Sequence, residues 1–187
     1  MNIKQNSQYF IKNIKYTLIL SLIFATFFLL GGERASAATL SVSPSSSSVT
    51  NGQNFNVDIL LDTAGVSVDG VDVFSLRYNP AILQVQDANT GADGIQITPG
   101  ILLPITLVNS VNATNGTLQF SQVATGGSSF NGSGKLATIT FRGISNGTSA
   151  VTIDFSSGSA SDSNVAGGGI ERLTGVNNAS YTIVAPP

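Results

Sequence analysis

From Asn54 onward, apolar and polar side chains trade places residue by residue: Phe55, Val57, Ile59 and Leu61 alternate with Asn54, Asn56 and Asp58. A period of two puts one set on each side of an extended chain, so the stretch can bury one face only as a β-strand. The pattern returns at Phe74, Leu76 and Tyr78, and at Leu118 and Phe120. It recurs where Leu136, Thr138 and Thr140 oppose Ala137, Ile139 and Phe141, and again at Val151, Ile153 and Phe155. Between these runs stand Asn51-Gly52, Asn115-Gly116, Asn131-Gly132 and Asn146-Gly147. Asn-Gly is the dipeptide that most readily takes the positive φ of tight turns. Asn79-Pro80 ends another run, because proline cannot donate to the ladder and restricts the residue before it. No segment after residue 37 carries a useful helical period. Many short strands with turns between them predict an all-β sandwich or barrel. In this phase Phe74, Leu76, Tyr78, Phe120, Ile139 and Phe155 point into the core.

The first 37 residues read differently. Lys4, Lys12 and Lys15 precede an apolar stretch from Thr17 to Leu30, which is followed by Ala35-Ser36-Ala37. That order is the order of a secretory signal peptide, with cleavage before Ala38. The apolar stretch would span roughly 21 Å as a helix, short of the ~30 Å hydrocarbon core of a bilayer. The expected organisation is a signal-peptide helix over 1–37, one β domain over 38–184 and a linker-like tail, Ala185-Pro186-Pro187. The product is expected outside the cell, secreted or on its surface.

Chemistry narrows the function classes. After residue 37 the chain has nine acidic and four basic residues, a net charge of −5, which is no electrostatic footprint for nucleic acid. It contains no cysteine and no histidine. Thiolate metal sites, disulfides, the usual general base and every Ser-His or Cys-His nucleophile are therefore missing. Paired carboxylates can hydrolyse a glycoside, yet Glu171 is the single glutamate after residue 37. These absences leave no catalytic residues to nominate and no cofactor to expect.

Several local motifs have simpler readings. Asn-x-Ser/Thr sites at Asn112, Asn115, Asn131, Asn146 and Asn178 are expected by chance in so Asn- and Ser-rich a chain, and as turns. Leu103-Pro104-Ile105-Thr106 lacks the glycine and apolar tail of a wall-sorting signal and fits the start of a strand. Asp87-Ala88-Asn89-Thr90-Gly91-Ala92-Asp93-Gly94 places oxygen ligands at alternate positions. An EF-hand loop needs glycine and glutamate where this chain has Ala92 and Thr98, so a polar turn is the better fit. Asp62, Asp69 and Asp72 flank a further loop, with nothing in the spacing to fix their distances. No tryptophan is present to stack on a sugar.

The run Val71-Asp72-Val73-Phe74-Ser75-Leu76-Arg77-Tyr78-Asn79-Pro80-Ala81-Ile82-Leu83-Gln84-Val85 resembles the third strand and following turn of a cohesin module. Gly134-Lys135-Leu136-Ala137-Thr138-Ile139-Thr140-Phe141 is similar to that family's seventh strand. Ser159-Ala160-Ser161-Asp162-Ser163-Asn164 is similar to the segment before its last strand. The likeness spans about residues 39–184. It implies a nine-stranded, two-sheet sandwich of jelly-roll topology. It also implies a non-catalytic receptor for a dockerin-like module that carries its own calcium, commonly in polysaccharide-degrading complexes such as the cellulosome. The binding face would be the outward side of strands three, five, six and eight. In this sequence that gives Val71, Val73, Ser75, Arg77, Gln119, Ser121, Thr152 and Asp154, with strand five near Ile105 to Val111. The alternative from another class is a carbohydrate-binding module of the same architecture. A coplanar aromatic row on the outward face would favour the glycan; small polar and aliphatic residues would favour a helical partner.

Overall fold

The computed structural model describes residues 37–159 and 161–187; the expected signal-peptide helix over 1–37 lies, apart from Ala37, outside the described residues. Fourteen strands follow one another: β1 (Ala38–Ser43), β2 (Ser46–Thr50), β3 (Asn54–Asp62), β4 (Gly70–Arg77), β5 (Leu83–Val85), β6 (Thr98–Pro99) and β7 (Ile105–Asn112). Then come β8 (Thr117–Val123), β9 (Ser133–Gly143), β10 (Gly147–Ile153), β11 (Asn164–Gly167), β12 (Ile170–Glu171), β13 (Leu173–Asn177) and β14 (Ala179–Val184). One sheet has the order β13-β1-β3-β9-β5, with β6 also on β9. The other runs β12-β11-β4-β10-β14-β2, and β8 lies along β4 with β7 beyond it. The fold is thus the expected all-β, two-sheet sandwich, with fourteen strands among the described residues where nine were expected.

The core lies between the sheets. Leu40, Val57, Ile59, Leu61, Ile139 and Phe141 enter it from the first sheet, and Val73, Leu76, Leu118, Phe120, Val151 and Tyr181 from the second. Every one of them is buried, which is the main favourable term available to a chain with no disulfide. Of the expected core residues, Leu76, Tyr78, Phe120 and Ile139 are buried and Phe155 is half-buried against the cluster. Phe74 is not: it is 43% exposed.

The correction has a local cause. Along the β4–β8 pair Val73 sits opposite Phe120 and Leu76 opposite Leu118, so Phe74 and Ser75 together face the single residue Gln119. That is a β-bulge, which inserts one residue and reverses the phase of everything beyond it. Val71 and Val73 therefore point inward on one side of the bulge, and Leu76 and Tyr78 point inward on the other. A second shift, where Ile59 pairs Ala137 and Leu60 pairs Lys135, makes Leu136 the extra residue and buries both Leu136 and Ala137.

All four Asn-Gly glycines have positive φ: 88° at Gly52, 63° at Gly116, 137° at Gly132 and 145° at Gly147. At Gly116 the need is doubled, since its carbonyl accepts the Tyr78 N–H at 2.9 Å and a Cβ there would lie 2.2 Å from the Tyr78 carbonyl oxygen. The β7–β8 hairpin turn is thereby fastened to the end of β4. Asn79 closes the same strand: its side chain accepts the Ala81 N–H at 3.0 Å.

Tyr181 links the sandwich to the β1–β2 connection. It is fully buried, its ring lies 5.3 Å from that of Phe55, and its hydroxyl donates to the Pro44 carbonyl at 2.6 Å. Burial, with the negative charge of Asp58, pushes the phenol up to about 12. In the unfolded chain it ionises near its ordinary value of 10.0. The contribution is therefore whole below pH 10 and is lost as pH climbs towards 12, on the order of 2 kcal/mol. Urea unfolding at pH 9 and pH 11.5 should register that loss, and Tyr181→Phe should show a smaller one.

Candidate functional site

The outward side of the second sheet is built around β4. One edge of β4 pairs with β8 from Gly70 to Arg77. The other edge is shared: β10 takes Leu76 and Arg77, and β11 takes Gly70 to Asp72. The bulge falls in the gap between β10 and β11, where no neighbouring strand continues the ladder. Beyond β8, β7 carries a bulge of its own. Thr106 pairs Gln122 and Val108 pairs Ser121, leaving Leu107 extra.

These irregularities decide what the face presents. Phe74, Ser75, Arg77, Ser110, Thr117 and Gln119 line one shallow depression. Asp72, Leu107, Ser121, Asn164 and Ala166 line another. Phe74 is 43% exposed, Leu107 63% and Val108 40%, an apolar set on an otherwise hydroxyl- and amide-rich sheet. Arg77 approaches Asp154 at 3.9 Å with both side chains well exposed, a pair worth at most about 1 kcal/mol. Burial pushes the Asp72 carboxyl above its ordinary range. Asn109, which faces inward, uses its amide to clamp Ile97, donating to its carbonyl at 2.8 Å and accepting its N–H at 2.9 Å.

Of the residues expected on this face, Arg77 and Gln119 are exposed there and Thr152 and Asp154 are half-exposed, with Thr152 in register with Arg77. Ser75 and Ser121 line the depressions but are mostly covered, at 7% and 8% exposure. Val71 and Val73 are corrected: at 3% and 0% exposure they are core residues in the strand phase before the bulge, although Val71 also borders the second depression. The segment expected to form strand five is β7, one residue longer than the range given to it.

The outward side of the first sheet is different in kind. Thr138 donates to Asp58 at 2.6 Å, Thr140 to Asn56 at 2.9 Å, and Asn177 to Ser41 at 3.0 Å. Lys135 lies 3.6 Å from Asp58. Several of its polar groups thus pair with one another across strands, beside a depression lined by Thr39, Ser41, Leu60, Asp62, Lys135 and Asn177. The Asp87 loop, between β5 and β6, is a self-contained turn. Its carboxylate accepts the N–H groups of Asn89 and Gln96, both at 3.0 Å, and these hold the acid below its ordinary range. Asp62 and Asp69 accept backbone N–H groups of Ala64 and Gly168. Among the described residues no group of three acidic, cysteine or histidine side chains is placed to hold a metal ion.

The family model for the cohesin domain matches residues 40–178, most of the chain. The chain belongs to the cohesin family. Similar solved structures include a cohesin from Clostridium acetobutylicum, 17% identical, covering 80% of this chain and 92% of that one with a TM-score of 0.62. A type I cohesin–dockerin complex from Clostridium thermocellum is 12% identical, covering 79% and 99% with a TM-score of 0.61. A type II cohesin domain from the cellulosome of Acetivibrio cellulolyticus is 14% identical, covering 78% and 95% with a TM-score of 0.60. No curated protein sequence matches the chain.

In this cohesin, sequence reasoning missed Phe74, Leu107 and Val108 as surface positions. A signal was present. Apolar residues occupy 71, 73, 74, 76 and 78, and no single alternation can bury both the first two and the last two. An apolar run that satisfies both phases calls for one extra residue between them.

Proposed function

We propose that this cohesin is an exported, non-catalytic receptor for a dockerin-like module, which it holds on the face formed by β7, β8, β4 and the β10–β11 edge. The observation that carries the reading is Phe74, exposed at a bulge on that sheet. A protein interface is usually driven by a few desolvated apolar and aromatic anchors near its centre, ringed by polar groups that exclude water. Phe74, Leu107 and Val108 supply the anchors; Arg77, Gln119, Ser110, Thr152 and Asp154 supply the ring. A rigid sheet can offer roughly 800 Å² to such a partner without rearranging. Polysaccharide degradation is the setting that the family resemblance suggests.

A glycan-binding reading is less favoured, because Phe74 is the one exposed aromatic among the described residues and cannot form a coplanar row. Isothermal titration of the protein against calcium-loaded dockerin modules tests the proposal. Phe74→Asp should weaken binding more than tenfold, at least about 1.4 kcal/mol, and Asp87→Ala should leave it unchanged. Removing calcium should abolish binding by unfolding the partner. Retention on cellulose, chitin or xylan that ignores Phe74→Asp, with no dockerin bound, would reverse the assignment.

A further inference from the structure

Following the inward Val71 and Val73, Phe74 points outward by alternation, and it can do so while Leu76 and Tyr78 still point inward only because Phe74 and Ser75 together face Gln119; such a bulge leaves backbone groups that the regular ladder would have paired. The connection between β10 and β11 answers them. Asp154 donates its N–H to the Ser75 carbonyl at 2.8 Å. The Phe74 N–H donates to the Ser163 hydroxyl at 3.2 Å, and the Ser163 N–H returns to the Asp154 carbonyl at 3.1 Å. Ser163 is 1% exposed, so its hydroxyl has no solvent role. Asp162, 6% exposed, accepts the Ser156 N–H and pins the connection on itself. A side chain thus takes the place of a ladder acceptor in the gap between β10 and β11.

We propose that Ser163 is a positioning residue that holds the β4 bulge and so keeps Phe74 outward and Val73 inward; its importance for partner binding rests on the function proposed above. With Ser163 present, the bulged arrangement satisfies the Phe74 N–H. Without the hydroxyl, that donor is orphaned in a buried setting, and an unbulged strand in the phase of Leu76 and Tyr78, which turns Phe74 in and Val73 out, gains ground.

The chain has no cysteine, so a single introduced thiol reads this directly. In the full chain, the thiol of Phe74→Cys should react readily with a maleimide and that of Val73→Cys hardly at all. Adding Ser163→Ala should slow the first at least threefold and speed the second at least threefold; Ser163→Thr, which keeps the hydroxyl, should restore both rates. General loosening of the fold would speed both. Rates that both rise, or that do not change, overturn the proposal. Because no partner enters this assay, its failure is separate from failure of the dockerin reading. Where a dockerin binds, Ser163→Ala should weaken it about fivefold in the wild-type background and have no further effect in Phe74→Ala.

Discussion

Val73→Asp is expected to leave the chain largely unfolded at room temperature, while Phe74→Asp, one residue along, leaves the fold intact. Val73 is fully buried and sits opposite Phe120, between the two sheets. A carboxylate placed there has no cation to meet, since Arg77, the nearest basic residue along the strand, faces solvent across the sheet from the core. Burying an unpaired charge costs several kcal/mol, of the same order as the ~5–15 kcal/mol that holds an ordinary domain together. At Phe74 the same carboxylate is placed on a surface that is already 43% exposed. Circular dichroism melts of the two variants make the comparison. A folded Val73→Asp beside an unfolded Phe74→Asp would mean that β4 alternates without a bulge.

Phe141→Ala should cost about 3–5 kcal/mol, the range for large aromatic truncations in a core that collapses only in part. Phe141 is fully buried on β9, between Phe55 of β3 and Val85 of β5 in the register of the first sheet. Its ring lies 5.9 Å from that of Phe55 and 5.2 Å, edge-on, from that of Tyr78. Tyr78 belongs to the end of β4's segment and Phe141 to the opposing sheet, so the contact joins the two layers of the sandwich. Edge-to-face pairs of this kind add up to ~1.5 kcal/mol beyond the area they bury. Chemical denaturation followed by fluorescence or far-ultraviolet dichroism measures the loss. A value under about 1 kcal/mol would place the cohesion of the domain elsewhere.

The local rules carried far in this protein because each acts within a few residues. Alternation at Phe55 to Leu61 made a strand with one buried face, and it is one. Asn-Gly at four places demanded positive φ, and each glycine has it. The sandwich class and the family both follow from the order of such signals along the chain.

What the sequence did not settle was which side chains of β4 reach the surface. Phase propagates along a strand only while every residue pairs one to one, and at Phe74 and Ser75 it does not. Whether the extra residue is tolerated depends on groups distant in sequence: the hydroxyl of Ser163, 89 residues away, accepts the Phe74 N–H. The Asp154 N–H satisfies the Ser75 carbonyl in the gap between β10 and β11. Residue types fixed the strands, their turns and the apolar content of the core. Only the tertiary structure, by supplying backbone partners for one irregular step, decided that Val71 and Val73 pack inside and that Phe74 faces out.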